Sequence, residues 1–482
     1  MDDHNLLAIS PLDGRYAGKV DHLSQYFSEA ALMRYRTLIE IEWLIHLFNE
    51  AKLKGTKPFK AGELKILRSI YEEFDVINAK RVKEIEKITN HDVKAIEYFI
   101  KEEIKGGPIE KYQEFIHFGC TSEDINNLAY ACMLRDFIDR EYMPMLSGVV
   151  QEIYSMALQY KGLPMKSRTH GQPATPTTLG KELVNFVARL EREMEIAING
   201  NYLMGKMNGA VGNFNAHIVA YPEVNWLDVS KTFVQGLGIG VNMYTTQIEP
   251  HDCYADLFDS MKRINNIVLD FARDMCMYIS LGYFKQRTIK GEVGSSTMPH
   301  KVNPIDYENA EGNIGIANAL FEHLSAKLPI SRLQRDLSDS TVQRNIGTAC
   351  AYSILAFKSA LTGLSKSEVN KIAISDDLKD EWELLAEPIQ TILRKNKVHG
   401  AYEKLKELTR GKKIDKKGMQ KFINGLKISV GEKKRLLALT PERYVGLAEN
   451  LVESYVLKVA GFRGCSGMSC GTGGCAGCAG CG

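Results

Sequence analysis

This sequence predicts a bundle of long helices, and three observations carry that expectation. Apolar residues recur at helical spacing over many turns, strand-like alternation is scarce, and prolines are missing from the longest stripes. A first stripe runs through Leu179, Leu183, Phe186, Leu190 and Met194. Thr175-Pro176, just upstream, supplies an N-cap and a proline suited to a first helical turn. A second stripe links Leu257, Met261, Ile264, Val268, Phe271, Met275 and Tyr278, with no proline between Asp252 and Met298. A third begins near Glu311 and continues through Ile314, Ala317, Phe321 and Leu324. Helices of this length bury their stripes against each other, which makes a bundle the natural core. A short hairpin is expected around Val211–Ile218, where glycines and asparagines break the helical pattern.

Around this centre the chain divides into four stretches. Residues 1–112 hold several short helices and end at the breaker Gly106-Gly107-Pro108. Residues 113–364 carry the long bundle, and residues 365–460 form a smaller, lysine-rich helical region. Residues 461–482 turn to Gly, Cys, Ser and Ala, a composition with no packable core that reads as a disordered tail.

Charge and cysteine usage narrow the partners. A net charge of +2 on 482 residues speaks against dedication to nucleic acid or a membrane surface. Small anions stay open, because they need only a local group of cations. The start MDDHNLLAIS has two Asp and no basic stretch, so no signal peptide is expected, no apolar run approaches the ~18 residues of a membrane helix, and a cytoplasmic protein is the default. Cys120, Cys132, Cys253, Cys276 and Cys350 lack metal-ligand spacing and read as buried thiols. Cys465, Cys470, Cys475, Cys478 and Cys481 crowd the tail. The spacing Cys475-x-x-Cys478-x-x-Cys481 would suit zinc, copper(I) or an iron–sulfur cluster, and the five thiols together a redox or sorting element, but glycines separate them and no His or Pro accompanies them, which favours a non-functional extension.

Several segments place a polar cluster at an expected helix start. In TNHDVKAIEYFI, Thr89 and Asp92 form a capping-box pattern ahead of Val93, Ile96 and Ile100. In HFGCTSEDINNL, Thr121 and Asp124 repeat it, with His117 just upstream. In SRTHGQPATPTTL, His170 stands in a Gly/Pro-rich loop before the long helix. Helix N-termini favour anions; one such segment is plain capping, but several carrying His, Asn, Ser or Gln point to a shared anionic site. The loop GSSTMPHKVNP, Gly294 to Pro304, adds two hydroxyls, the cation Lys301, the amide of Asn303 and stiffening prolines. That is the chemistry of a lid closing over a carboxylate, although serine is a weak base unless its surroundings deprotonate it.

GSSTMPHKVNP resembles the signature of the fumarase/aspartase superfamily, whose members eliminate fumarate from succinyl compounds. SPLDGRY, TNHDVKA, HFGCTSEDINN, SRTHGQPATP, GAVGNFNAH, TTQIEPHD and LQRDLSDSTVQRN are similar, in order, to segments of the longer bacterial type of adenylosuccinate lyases. The likeness runs from about Ser10 to about Tyr444. It implies an all-α, three-domain fold with a central bundle of long helices, assembling as a homotetramer whose active sites combine segments of three subunits. It also implies β-elimination at a C–N bond, releasing fumarate from adenylosuccinate or from the succinyl-carboxamide ribotide of purine synthesis, without cofactor or metal.

By the same resemblance, Ser295 is the general base, Lys301 and Asn303 bind the carboxylate that gathers charge, and His170 is the general acid. His91 orients substrate or tunes that acid, with His117 as a companion. Arg15, Tyr16, Arg335, Ser340 and Arg344 take the phosphate end, and Thr341 is a further substrate contact. Asn90, Asp92, Thr121, Ser122, Gln247, Val302 and Asn309 complete the substrate contacts. Argininosuccinate lyase or another fumarate-releasing relative is the near alternative; the phosphate-type arginines and the His of MPHK speak against fumarase. A catalytically silent structural protein on the same fold predicts lost catalytic positions, whereas Ser295, Lys301 and His170 are all present.

Overall fold

A computed structural model describes residues 3–200, 203–289, 291, 297–298, 300–409 and 414–458. Its main helices are α1 (Glu29–Asn49), α2 (Val76–Thr89), α3 (Asp92–Glu103), α4 (Ser122–Phe137), α5 (Met143–Gln159), α6 (Leu179–Gly200), α7 (Asp252–Ser280), α8 (Ile305–Lys327), α9 (Ser338–Gln343) and α10 (Ile346–Lys366). Three two-stranded sheets interrupt them. They pair β1 (Pro164–Thr169) with β2 (Gln172–Thr178), β3 (Met204–Gly205) with β4 (Gly240–Val241), and β5 (Phe284–Gln286) with β6 (Ser367–Val369). The fold is therefore mostly helical with small β additions.

The predicted stripes do what amphipathic stripes must. Leu183, Phe186, Leu190 and Met194 on α6, Leu257 through Met275 on α7, and Ile314, Ala317, Phe321 and Leu324 on α8 are all buried. α5 packs on α6, α6 on α7, α7 on α8, α8 on α10, and α10 returns to α5, closing a ring of five helices. Direction follows from side-chain pairs. Arg273, late in α7, bonds Glu311, early in α8, at 2.7 Å. Lys366 at the end of α10 pairs with Asp306 at the start of α8 at 3.1 Å. α7 and α10 thus run one way and α8 the other.

This antiparallel arrangement gives the bundle two ends. One holds the starts of α7 and α10, together with α9. The other holds the start of α8 and the β1–β2 hairpin, tied to the end of α7 by Arg168, whose NH1 donates to Tyr283 Oη at 2.8 Å. At ~1.5 Å per residue, the 29 residues of α7 separate these ends by about 43 Å.

Several local expectations are corrected. The hairpin lies at β1–β2, whereas Asn215–Ala220 is a short helix. His170 and Gly171 both have positive φ, 55° and 74°, as a two-residue type I′ turn requires; glycine suits that geometry, and histidine there was not legible as a turn. Thr175 and Pro176 consequently belong to a strand and not to a helix start; Thr178 Oγ1 accepts from Lys181 N at 3.2 Å instead. Thr89 ends α2, and His91 is the N-cap of α3. α8 begins six residues before Glu311, and the amino-terminal region contains the 21-residue α1. That helix is buried nearly all round, so it shows no one-sided stripe.

Apolar residues gather into one large core spanning the bundle and the amino-terminal helices, and a second, smaller one. The smaller core is built from Leu385, Ile389, Leu393, Met419, Ile423 and Leu436 with their neighbours. Ile374 and Val452 pack into the large core. Cys132 and Cys350 are buried and Cys120, Cys253 and Cys276 partly so, all as free thiols. The cysteine-rich tail lies outside the described residues.

Candidate active site

At the end of the bundle where α7 and α10 start, four predicted residues (Asp92, Gln247, Arg335 and Arg344) meet in one network of ion pairs and hydrogen bonds. Asp92, at the first position of α3, pairs with Arg36 NH2 at 2.8 Å and with Arg344 NH2 at 3.4 Å. Arg344, which caps the end of α9, also reaches Glu29 at 2.6 Å. Arg335 NH2 lies 2.9 Å from Glu123 and its NH1 donates to Gln247 Oε1 at 3.4 Å. Arg36 Nε donates to Asn126 Oδ1 and Asn126 Nδ2 to Glu123 Oε1, both at 2.8 Å, which joins the two arginine groups. Burial pushes the Asp92 carboxyl up, but Arg36, the Val93 amide and Arg344 outweigh it and hold it below its ordinary range. For Glu123 and Asp339, burial wins over the pull of Arg335, and both carboxyls sit above theirs.

Thr121 and Ser122 stand beside this network at the start of α4. Thr121 N donates to Asp124 Oδ2 at 2.8 Å, so the expected cap is present. Asp124 does more than cap. It is fully buried 3.1 Å from the equally buried Lys206 Nζ, and Asn208 N donates to its Oδ1 at 2.9 Å. Lys206 Nζ also donates to Gly209 O, and Ala210 O accepts from Gln247 Nε2. The loop of GAVGNFNAH is in this way clamped between α4 and Gln247.

Three predicted residues here have φ above zero or a capping duty. Asn90 has a φ of 51° and His117 of 61°, a region that non-glycine residues visit seldom and often at functional sites. His91 Nδ1 accepts from Lys94 N at 3.2 Å, which leaves its Nε2 as the protonated nitrogen of a neutral ring. Its side chain is half exposed, ready to donate outward. His117 Nδ1 lies 2.6 Å from Glu40 Oε1, and its backbone N donates to Glu40 Oε2 at 3.1 Å. Burial lowers the affinity of His117 for a proton, yet the fully buried Glu40 carboxylate overrides this and raises its pKa.

The other end is bare by comparison. His170 sits at the tip of the β1–β2 turn, exposed, with no hydrogen bond among the described residues. Beneath it, Lys166 pairs with Asp377 at 2.9 Å and Glu381 at 2.8 Å, and Arg168 with Asp377 at 2.6 Å. Lys301 and Val302 are exposed and Asn303 partly buried, just ahead of α8; Lys301 N donates to Met298 O at 3.0 Å. Asn309 lies within the first turns of α8, its carbonyl accepting from Asn313 at 2.8 Å. Ser295 lies outside the described residues.

A single chain therefore brings together Asn90, His91, Asp92, Thr121, Ser122, Gln247, Arg335, Ser340, Thr341 and Arg344 at one end. It carries His170, Lys301, Val302, Asn303 and Asn309 at the other. Arg15 and Tyr16 precede the short helix Ala17–Val20, which packs along α10, and neither joins the network. Residues that sequence reasoning passed over are Arg36, Glu40, Glu123, Asn126 and Lys206. One signal was available: Arg36 and Glu40 lie four apart in LMRYRTLIEIEWLI, where apolar residues fall on every side of the helix and a buried charge needs a partner.

Among the described residues no helix is long and apolar enough to cross a membrane, and no group of His, Cys, Asp and Glu is arranged to hold a metal. A family model described as "Lyase" matches residues 14–317, and one described as "Adenylosuccinate lyase C-terminal" matches residues 331–445. The adenylosuccinate lyase of Escherichia coli (strain K12) is 52% identical over 454 residues, covering 94% of this chain and 99% of that one. Two crystal structures share the fold. The 3-carboxy-cis,cis-muconate lactonizing enzyme of Pseudomonas putida has a TM-score of 0.71 at 18% identity, covering 92% of this chain and 97% of that one. The fumarate lyase of Mesorhizobium sp. BNC1 has a TM-score of 0.70 at 16% identity, covering 90% and 96%. With half its residues shared with a relative along nearly the whole of both chains, and both family models matched in order, the chain is a lyase and belongs to the adenylosuccinate lyase family.

Proposed function

We propose that the enzyme removes fumarate from adenylosuccinate, leaving AMP, and from the succinyl-carboxamide ribotide, leaving the carboxamide ribotide. The observation that carries the site model is the split of the candidate residues between two ends of one bundle, one rich in paired cations and the other bearing His170 and Lys301. The guanidinium groups of Arg335 and Arg344 suit the phosphate of a nucleotide. The helix start at Asn90-His91-Asp92 and the α4 start at Thr121-Ser122 suit its carboxylates and hydroxyls.

In the elimination, Ser295, acting as its oxyanion, takes a proton from the carbon next to one succinyl carboxylate and becomes the neutral hydroxyl. The electron pair left on that carbon spreads into the carboxylate, where the Lys301 ammonium and the Asn303 amide stabilise it. The pair then forms the fumarate double bond as the C–N bond breaks, and His170 gives the leaving nitrogen its proton. His91, with Nε2–H free to donate, orients the substrate, and His117 is held beside it by Glu40.

No side chain spans some 43 Å, so the two ends cannot serve one substrate within one chain. Copies related by symmetry remedy this if the His170 end of one meets the Arg335 end of another. We place the chain in a homotetramer with sites shared between subunits, working in the cytoplasm, and retain the division at residues 112, 364 and 460. The separate core of Leu385 to Leu436 supports the last region, although that core begins later than residue 365.

Supplying adenylosuccinate and argininosuccinate separately, with products identified by mass spectrometry, tests the reaction: AMP and fumarate are expected, and arginine without AMP sinks the assignment. Mixing His170→Ala, low in kcat, with Arg335→Met, assayed at substrate too dilute for its raised KM, tests the sharing. Mixed assemblies regain activity if each site draws these residues from different copies; mixtures as inactive as their parents refute it.

A further inference from the structure

We propose that Arg36 of α1 is a positioning residue, holding Asp92 and, through Asn126 and Glu123, the Arg335 guanidinium in one geometry for the nucleotide end of the substrate. This rests on the placement of the phosphate at Arg335 and Arg344 made above.

Arg36 is 2% exposed, among the largest fully buried side chains of the molecule. A buried ion pair gains little over well-packed apolar groups, because desolvating both charges offsets their attraction. Stability alone therefore does not account for a guanidinium in the middle of a buried helix. Its two directions of bonding do suggest a use. The 2.8 Å contact to Asp92 uses NH2 and the 2.8 Å bond to Asn126 uses Nε of the same planar group, so the start of α3 and the body of α4 are set relative to each other. Asn126 then orients Glu123, and Glu123 orients Arg335, with each of Arg36, Asn126 and Glu123 no more than 6% exposed.

The chain also solves a charge problem. In the structure Asp92 is shared between Arg36 and Arg344, the latter at the longer distance of 3.4 Å. When Arg344 turns to a phosphate, Asp92 stays compensated by Arg36. Without Arg36, Asp92 would have Arg344 as its one remaining cationic partner among the described residues, and phosphate would have to compete with it.

The test uses the full chain, with steady-state release of fumarate from adenylosuccinate and competitive inhibition by inorganic phosphate. Arg36→Met should raise KM and the phosphate inhibition constant on the order of tenfold, the equivalent of ~1.4 kcal/mol, with kcat changed far less. Arg36→Lys should recover part of that, since it keeps a cation at Asp92 but not the bond to Asn126. A purely structural role would lower the thermal midpoint and the active fraction at unchanged KM, and that result overturns the proposal. If Arg36→Met does not fold, Asn126→Ala cuts the same chain one link on: a raised KM supports the proposal and an unchanged one overturns it. Arg335→Met separates the two claims. If it leaves KM and phosphate inhibition unchanged, the phosphate placement is wrong and the Arg36 proposal falls with it. If it raises them while Arg36→Met or Asn126→Ala does not, the Arg36 proposal alone is overturned.

Discussion

The two ends of the bundle are built by different physics. At the Arg335 end, charges are buried and paired before any ligand arrives: Lys206 with Asp124, Arg36 with Asp92, Arg335 with Glu123. At the His170 end, the residues that would meet substrate are exposed on a turn and on the approach to α8, while the buried pairing lies underneath, at Lys166 and Arg168. Preorganised charge suits a fixed anion, because it needs no rearrangement on binding. An exposed histidine and lysine suit a step that other surfaces must enclose.

The sharpest way to break this contrast is His170→Ala. Loss of a general acid should lower kcat by ~10²–10⁴-fold with KM changed little, whereas Arg335→Met should act on KM; a loss confined to KM would remove His170 from the acid role. Next comes Asp124→Ala, which strands the fully buried Lys206 ammonium. About 3–5 kcal/mol of stability should go, read as a large fall in thermal midpoint at fixed protein concentration. A midpoint close to wild type would mean that the α4 end is not held by buried charge.

Glu40→Gln probes the same end through pH. The His117 pKa is raised above its ordinary 6.5 in the folded chain. The stabilisation from this pair is therefore fully present below that value and fades as pH rises through the folded pKa. Thermal midpoints across this range should fall in the wild type by an increment that Glu40→Gln lacks; parallel curves would argue that Glu40 does not set the charge of His117. The smallest effect belongs to the exposed pair Arg287–Glu368 beside the bare end. Arg287→Ala should cost about 0–1 kcal/mol, and a larger loss would show hidden electrostatic structure there.

Legibility in the sequence followed range. The stripes of α6, α7 and α8 were readable because burial of one helix face depends on spacing within a few turns. α1 hid its importance because a helix buried on all sides has no polar face to contrast with. The β1–β2 hairpin was missed because its turn uses His170 where Gly or Asn would have announced it. The catalytic motifs were legible as short strings, yet GSSTMPHKVNP says nothing of where its loop sits, and its Ser295 falls outside the described residues.

By itself, then, the sequence determined the helical bundle and the candidate site residues, since composition, periodicity and local motif are properties of neighbours along the chain. Only the tertiary structure decided that those residues part into two groups at opposite ends of α7. It also decided that Arg36, Glu40 and Lys206 stand behind one of them. Those facts depend on contacts between residues tens to hundreds of positions apart, such as Arg344 with Asp92, which no local pattern encodes.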